Sequence, residues 1–197
     1  MPCHPLTDIP WNPARPRIAL IGFMATGKSS VGQSLAASLG IPFRDLDREI
    51  VTAAGMSIPE IFSRQGEAGF RALETRLLQK LACGSDPLLL ATGGGVPLRP
   101  ENRCLLRQGF VVIELTAEPE TVQRRVGEAQ DRPLLTGRNN SAAIRRLMEE
   151  RRPAYEEVRH LQVAVDGLRI DEICLRLRSR LAALPPASSL VKPESGD

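Results

Sequence analysis

Apolar residues along this chain fall into two alternating kinds of pattern. Short continuous runs, Ile18-Ala19-Leu20-Ile21, Leu88-Leu89-Leu90-Ala91 and Phe110-Val111-Val112-Ile113-Glu114-Leu115, have the length of strands and no polar face. Such runs mark strands covered on both sides, the habit of a parallel sheet. Two shorter stretches, 41–45 and 161–165, bring the expected sheet to about five strands. Between the runs, apolar residues recur at helical spacing: Val31, Leu35 and Leu39; Phe70, Leu73, Leu77, Leu78 and Leu81; Ile170, Ile173, Leu177 and Leu181. Local signals set the ends of the helices. Gly40 is placed as a C′ residue, and Ser57-Ile58-Pro59-Glu60 reads as a capping box with proline in the first turn. The helix it opens carries Ile61 and Phe62 and pauses at Gly66, and a second runs over about 67–83. Further helices are expected through 48–51, near 100–108, from Pro119 to about Val126, over 141–158 with an interruption or kink at Pro153, and over 170–183. Strands alternating with helices argue for an α/β fold, a three-layer sandwich around a five-stranded parallel sheet.

The flanks break this pattern. Residues 1–16 hold five prolines and read as an extended, poorly ordered leader; 185–197, with three more prolines, read as a disordered tail. A single domain over 17–184 lies between them. Inside it, 127–140 contains Gly127, Gly137, Asn139 and Asn140 around Asp131-Arg132-Pro133-Leu134-Leu135, and reads as a lid-like loop. A length of 197 residues suits one domain, and 42% hydrophobic content suffices for one core. A net charge of +3 argues against a nucleic-acid-coating role. The four cysteines lack metal-ligand spacing and read as reduced thiols. With no signal peptide and no membrane span in view, the expectation is a soluble cytoplasmic protein.

Candidate chemistry gathers where strands end. After the first strand, Gly22-Phe23-Met24-Ala25-Thr26-Gly27-Lys28-Ser29-Ser30 fits G-x-x-x-x-G-K-[ST], the phosphate-binding loop, in the strand–loop–helix setting that motif requires. Backbone N–H groups and a helix N-terminus there face an anion together. Lys28 adds a point charge for β- and γ-phosphates, and the Ser29 hydroxyl is a Mg²⁺ ligand. The second strand ends in Asp45-Leu46-Asp47. One carboxylate there suits the metal and the other an acceptor hydroxyl, although Asp47 equally suits a helix cap. The third ends in Gly93-Gly94-Gly95, which offers backbone N–H and close approach, or simply a tight turn. All three ends project to one rim, where open parallel sheets bind ligands. Among 23 arginines, Arg71, Arg151 and Arg152 read equally as solvated surface, while Arg132 sits in the glycine-bounded loop and suits a closing finger.

Taken together, Gly22 to Ser30, Asp45-Leu46-Asp47, Phe70-Arg71-x-x-Glu74, Gly93-Gly94-Gly95, Arg132-Pro133-Leu134-Leu135 and Arg151-x-Pro153-x-Tyr155 resemble, in order, the motifs of shikimate kinases from about residue 16 to 183. The resemblance implies a P-loop fold of nucleoside-monophosphate-kinase type with a lid, and ATP-dependent phosphorylation of the 3-hydroxyl of shikimate on the route to chorismate and the aromatic amino acids. It implies Mg²⁺ as cofactor and shikimate and ATP as the molecules bound; the near-balanced charge and the lack of a long apolar run leave no nucleic acid or membrane partner expected, and the chain is expected to be a monomer. Carried over by motif, Ala25, Thr26, Gly27, Lys28, Ser29 and Ser30 hold ATP. Arg125 packs on adenine, Arg132 reaches the phosphates from the lid, and Ser29 and Asp45 serve the metal. Asp47 binds the acceptor hydroxyls as a candidate base. Arg71 and Arg151 grip the carboxylate, beside the glycines Gly93, Gly94 and Gly95, with a Gly94 N–H on the same substrate. The nearest rival is a kinase of another small metabolite, such as gluconate. Ala25 and Thr26 stand where the family often has Gly and Ser, and Ser30 where it often has Thr.

Overall fold

The computed structural model describes residues 10–127 and 141–186. Five strands, β1 (Arg17–Ile21), β2 (Phe43–Asp45), β3 (Leu88–Ala91), β4 (Val111–Thr116) and β5 (Leu161–Ala164), form one parallel sheet in the order β2-β3-β1-β4-β5. The helices are α1 (Lys28–Leu39), α2 (Leu46–Ala54), α3 (Ile58–Ala82), α4 (Pro100–Gly109), α5 (Pro119–Gly127), α6 (Ser141–Val158) and α7 (Ile170–Ala182), with one 3₁₀ turn, Val96–Leu98. The α/β sandwich expected from the apolar pattern is therefore present.

Alternation along the strands divides the core into two layers. Ile18, Leu20, Leu89, Val111, Ile113 and Leu115 face α1, α5 and α7. Ala19, Ile21, Leu90, Phe110 and Val112 face α2, α3 and α4. Helix α6 serves both layers, with Ile144 in the first and Tyr155 and Val158 in the second. It thus crosses the rim at which the strands end.

Local expectations mostly hold. Gly40, at φ 65, caps α1 through its N–H to the Ala36 and Ala37 carbonyls, and Ser57 and Glu60 form the reciprocal capping box. Gly66, at φ 68 and ψ −177, breaks α3 at the expected pause. Helix α6 runs on through Pro153. Strand β2 is shorter than expected, three residues, because Pro42 has no N–H to offer and contributes only its carbonyl, to Leu89.

The leader differs more. Its last seven residues, 10–16, are described, and Trp11 is 6% exposed within the layer of α1 and α7. A large indole buries too much apolar surface to stay in water when the proline-punctuated chain leads it to that layer. The remainder of the leader, residues 1–9, and the tail from 187 onward lie outside the described residues, as does 128–140, which holds all but the first residue of the expected lid.

Candidate active site

The loop between β1 and α1 is set by close packing. A Cβ at Gly22, where φ is 137, would sit 2.3 Å from the Leu115 carbonyl oxygen at the end of β4, so only glycine fits. Thr26 Oγ1 donates to the Phe23 carbonyl at 2.9 Å, and Lys28 Nζ donates to the Gly22 and Phe23 carbonyls at 3.0 and 2.7 Å. These bonds wrap the loop around a buried ammonium group, which the surrounding carbonyl dipoles stabilise. Ala25 holds a left-handed φ of 60, and its carbonyl accepts from Arg125 Nη1 at 3.1 Å. Helix α5 is thereby tied to the loop. Ser29 and Ser30 are exposed on the first turn of α1, directly after Gly27.

Ser29 Oγ donates to Asp45 Oδ2 at 2.5 Å, so the hydroxyl and carboxylate meet across two strand ends. Asp45 Oδ1 also accepts from the Asp47 N–H, which makes Asp45 the N-cap of α2. The capping considered for Asp47 thus belongs to Asp45, because the helix begins at Leu46 and the cap precedes it. Asp47, in the first turn, is half-buried and lies beside Gly93: a Cβ there would be 3.1 Å from Asp47 Oδ1 and 3.4 Å from Glu74 Oε1.

Arg71 lies on α3 beyond the Gly66 break. Its Nη1 donates to both oxygens of Glu74 at 2.9 and 3.0 Å, and its guanidinium rests 5.2 Å from the centre of the Phe70 ring. The same guanidinium presses on Gly95, where a Cβ would lie 2.6 Å from Nη1. Gly94, between these glycines, approaches the phosphate loop: a Cβ there would be 3.3 Å from the Gly22 oxygen. The glycine run therefore joins the face of Asp47 and Arg71 to the loop that precedes Lys28.

Helix α6 closes the other side. Arg151 lies over the Phe23 ring at 5.3 Å, and Tyr155 donates to the Gly94 carbonyl at 2.6 Å. Arg152, its neighbour, is an exposed residue paired with Glu149 at 2.5 Å. A cavity of about 390 Å³ beside Phe23, Thr26 and Tyr155 extends under α6 toward Glu114 and Arg159. The folded chain thus gathers Lys28, Ser29, Asp45, Asp47, Arg71, Gly93, Gly94, Gly95, Arg125 and Arg151 around one rim. Arg132 lies outside the described residues.

Two further side chains belong to this setting and had no role assigned from the sequence. Glu74 is 0% exposed. Burial pushes its carboxyl above the usual range; the Arg71 charge and hydrogen bond pull it back, while Asp47 pushes it the same way as burial. Its signal in the sequence is a carboxylate standing in register with Phe70 and Leu78, where an apolar residue is due. Tyr155 carries a subtler signal, as the single tyrosine of the chain.

Known proteins resemble the chain throughout this region. The family model described as shikimate kinase matches residues 24–182. A shikimate kinase from Thioalkalivibrio sulfidiphilus is 45% identical over 149 residues, covering 76% of this chain and 78% of that protein. Among solved structures, shikimate kinase from Acinetobacter baumannii in complex with shikimate superposes with a TM-score of 0.80 at 36% identity, covering 85% of this chain and 93% of that one. A gluconokinase from Sinorhizobium meliloti, 18% identical with a TM-score of 0.55 over 89% of this chain and 93% of its own, shares the fold.

Proposed function

Because the chain belongs to the shikimate kinase family, whose members phosphorylate shikimate with ATP, we propose how its own residues divide that task at the 3-hydroxyl. The observation that carries the reading is the glycine turn after β3, which sets Asp47 and Arg71 against the start of the phosphate loop. The loop amides of Ala25, Thr26, Gly27, Ser29 and Ser30 cradle the ATP phosphates at the start of α1, where N–H groups and the helix dipole favour anions. Lys28 turns its ammonium from the loop carbonyls to the β- and γ-phosphates. Arg125, already fixed to the loop at Ala25, lies against the adenine, and Arg132 closes over the phosphates.

The donor set fits Mg²⁺. Ser29 Oγ and Asp45 Oδ2 are two hard oxygens already in contact, and the ion takes few protein ligands when phosphates and water supply the rest. Among the described residues no group of three or more His, Cys, Asp or Glu forms a fuller cage. When bound, the ion neutralises charge on the β- and γ-phosphates. Asp47 accepts the hydrogen bond of the acceptor hydroxyl and takes its proton as that oxygen bonds to the γ-phosphorus and the bond from phosphorus to the β–γ bridging oxygen breaks, releasing ADP. Arg71 and Arg151 hold the substrate carboxylate as planar forks, with the Gly94 N–H as a third contact. Glu74 fixes the direction of the Arg71 fork. The Arg71 and Arg151 pair supports a carboxylate-bearing acceptor and favours shikimate over gluconate kinase chemistry.

We propose that the enzyme acts as a monomer. Among the described residues no helix is long and apolar enough to cross a membrane, and we place the enzyme in the cytoplasm, where ATP is supplied. A coupled assay of ADP release tests the function. Consumption of ATP should require both shikimate and Mg²⁺, and equal turnover with gluconate would overturn the assignment. Asp47→Asn should lower kcat by at least about 10²-fold, the scale of a lost general base, with little change in melting temperature. A near-normal kcat would remove Asp47 from the role of base.

A further inference from the structure

We propose that Tyr155 is a positioning residue for the acceptor, its hydroxyl joining the Arg151 guanidinium to the Gly94 backbone so that two groups contacting one substrate are held as a unit. The proposal rests on the roles given above to Arg151 and Gly94. The Tyr155 oxygen donates its single proton to the Gly94 carbonyl at 2.6 Å. Arg151 precedes Tyr155 by one turn of α6, and its charge and hydrogen bonding pull the phenol's pKa down, so with that proton committed the oxygen's lone pairs are left for the Arg151 guanidinium. The ring is 3% exposed, so neither bond is readily exchanged for water. Burial pushes the phenol above its usual range, against the pull of Arg151, and so keeps the proton on oxygen at neutral pH.

The hydroxyl therefore restrains both partners. Arg151 has a long side chain with many rotamers, and a guanidinium that must wait in one orientation for a carboxylate needs restraint beyond a ring face. Phe23 supplies the face, at 5.3 Å, and Tyr155 supplies the direction. On the other partner, the bond to the Gly94 carbonyl orients the glycine run from which the N–H toward the substrate projects.

The end of α6 is itself fastened to the sheet. Arg159 Nη1 meets Glu114 Oε2 at 2.6 Å, and Glu114 is only 6% exposed. His160 bonds Val112 in both directions, through its N–H to the Val112 carbonyl at 2.8 Å and through Nδ1 from the Val112 N–H at 2.9 Å. Arg159 N–H bonds the Tyr155 carbonyl at 3.0 Å, one turn away. Glu114 in turn stands beside Ile21, the residue before the phosphate loop. Tyr155 is thus referenced to the strand that flanks the donor site, and the acceptor is aligned with the donor through it.

Tyr155→Phe removes only the oxygen. Its expected effect is a rise of about tenfold in the shikimate KM, the scale of one charge-assisted hydrogen bond, with the ATP KM unchanged. The deciding readout is the preference for shikimate over its methyl ester, which has no carboxylate charge. The ratio of kcat/KM for the two should shrink about tenfold in Tyr155→Phe. A structural role alone would lower both substrates equally and leave the ratio intact, and that outcome overturns the proposal. Arg151→Leu separates this proposal from its premise. If Arg151→Leu leaves the ratio intact, the role given to Arg151 fails. If Arg151→Leu collapses the ratio and Tyr155→Phe does not, only the role of Tyr155 fails. The double variant should have the ratio of Arg151→Leu alone, and additive losses would show that Tyr155 does not act through Arg151.

Discussion

A methyl group at Gly95 would stand 2.6 and 2.7 Å from the two terminal nitrogens of Arg71. That is too close, but the crowded atoms are the end of a flexible side chain, so Gly95→Ala should displace Arg71 and spare the fold. We expect the shikimate KM to rise about tenfold or more, on the scale of a charged hydrogen bond lost, with the ATP KM unchanged and the melting temperature within a few degrees of wild type. A large fall in melting temperature would show that the turn, and not Arg71, feels the change. Gly22 differs in kind, because an added Cβ meets the backbone oxygen of Leu115 at 2.3 Å. At this scale the phosphate loop, Asp45, Asp47 and the triple glycine were legible in the sequence, since each residue type carries its chemistry with it. Glu74 was not given a role, because helical spacing marks its position as buried without saying that Arg71 turns inward to meet it.

Elements begin and end where backbone groups find partners, and the sequence places most of those points to within a residue or two, although α2 runs three residues past its expected end. Asp45 rather than Asp47 caps α2, a shift of two residues that leaves Asp47 in the first turn, facing Gly93. The end of α6 shows a junction that no periodicity marks. His160 Nδ1 accepts from the Val112 N–H, and burial, helped by the Arg107 charge, lowers its pKa to about 4 from the usual 6.5. A neutral ring is required, because a protonated Nδ1 donates and cannot accept. The unfolded chain binds the proton first as pH falls, so stability contributed here is complete above about 6.5 and is lost progressively toward 4. Between pH 7 and 5 the loss should reach up to about 2 kcal/mol. Urea midpoints at the two pH values measure it. His160→Asn, which keeps an acceptor and does not titrate, should reduce the difference; an unchanged pH dependence would acquit His160.

For the whole molecule, the two apolar layers and the rim between them decide what each end of the chain does. Trp11 lies in the layer of α1 and α7 and lines a groove with Leu39, Ile41 and Pro87. Pro16, Pro42 and Pro87, at the entries to β1, β2 and β3, line that groove too, so it lies at the edge of the sheet away from the ligand rim. Trp11→Ala should cost about 3 kcal/mol of unfolding free energy, as large-to-small core changes do, while both KM values stay as they are. A loss under about 1 kcal/mol would show that Trp11 only rests on the surface. A proline-rich stretch is locally indistinguishable from a linker, and only the hydrophobic layer it meets makes part of it structure. The sequence by itself determined the parallel α/β sheet, through runs whose apolar length and spacing are local properties, and the phosphate loop, through a motif whose donors lie within nine consecutive residues. The motifs singled out Arg71, Arg125 and Arg151 among 23 arginines, but only tertiary structure decided that they meet at one rim and that Glu74 holds the Arg71 fork. Tyr155 reaches from α6 to the Gly94 carbonyl and Arg71 presses from α3 on Gly95, contacts between separate elements that are chosen by how α3, α6 and the glycine turn pack around the sheet.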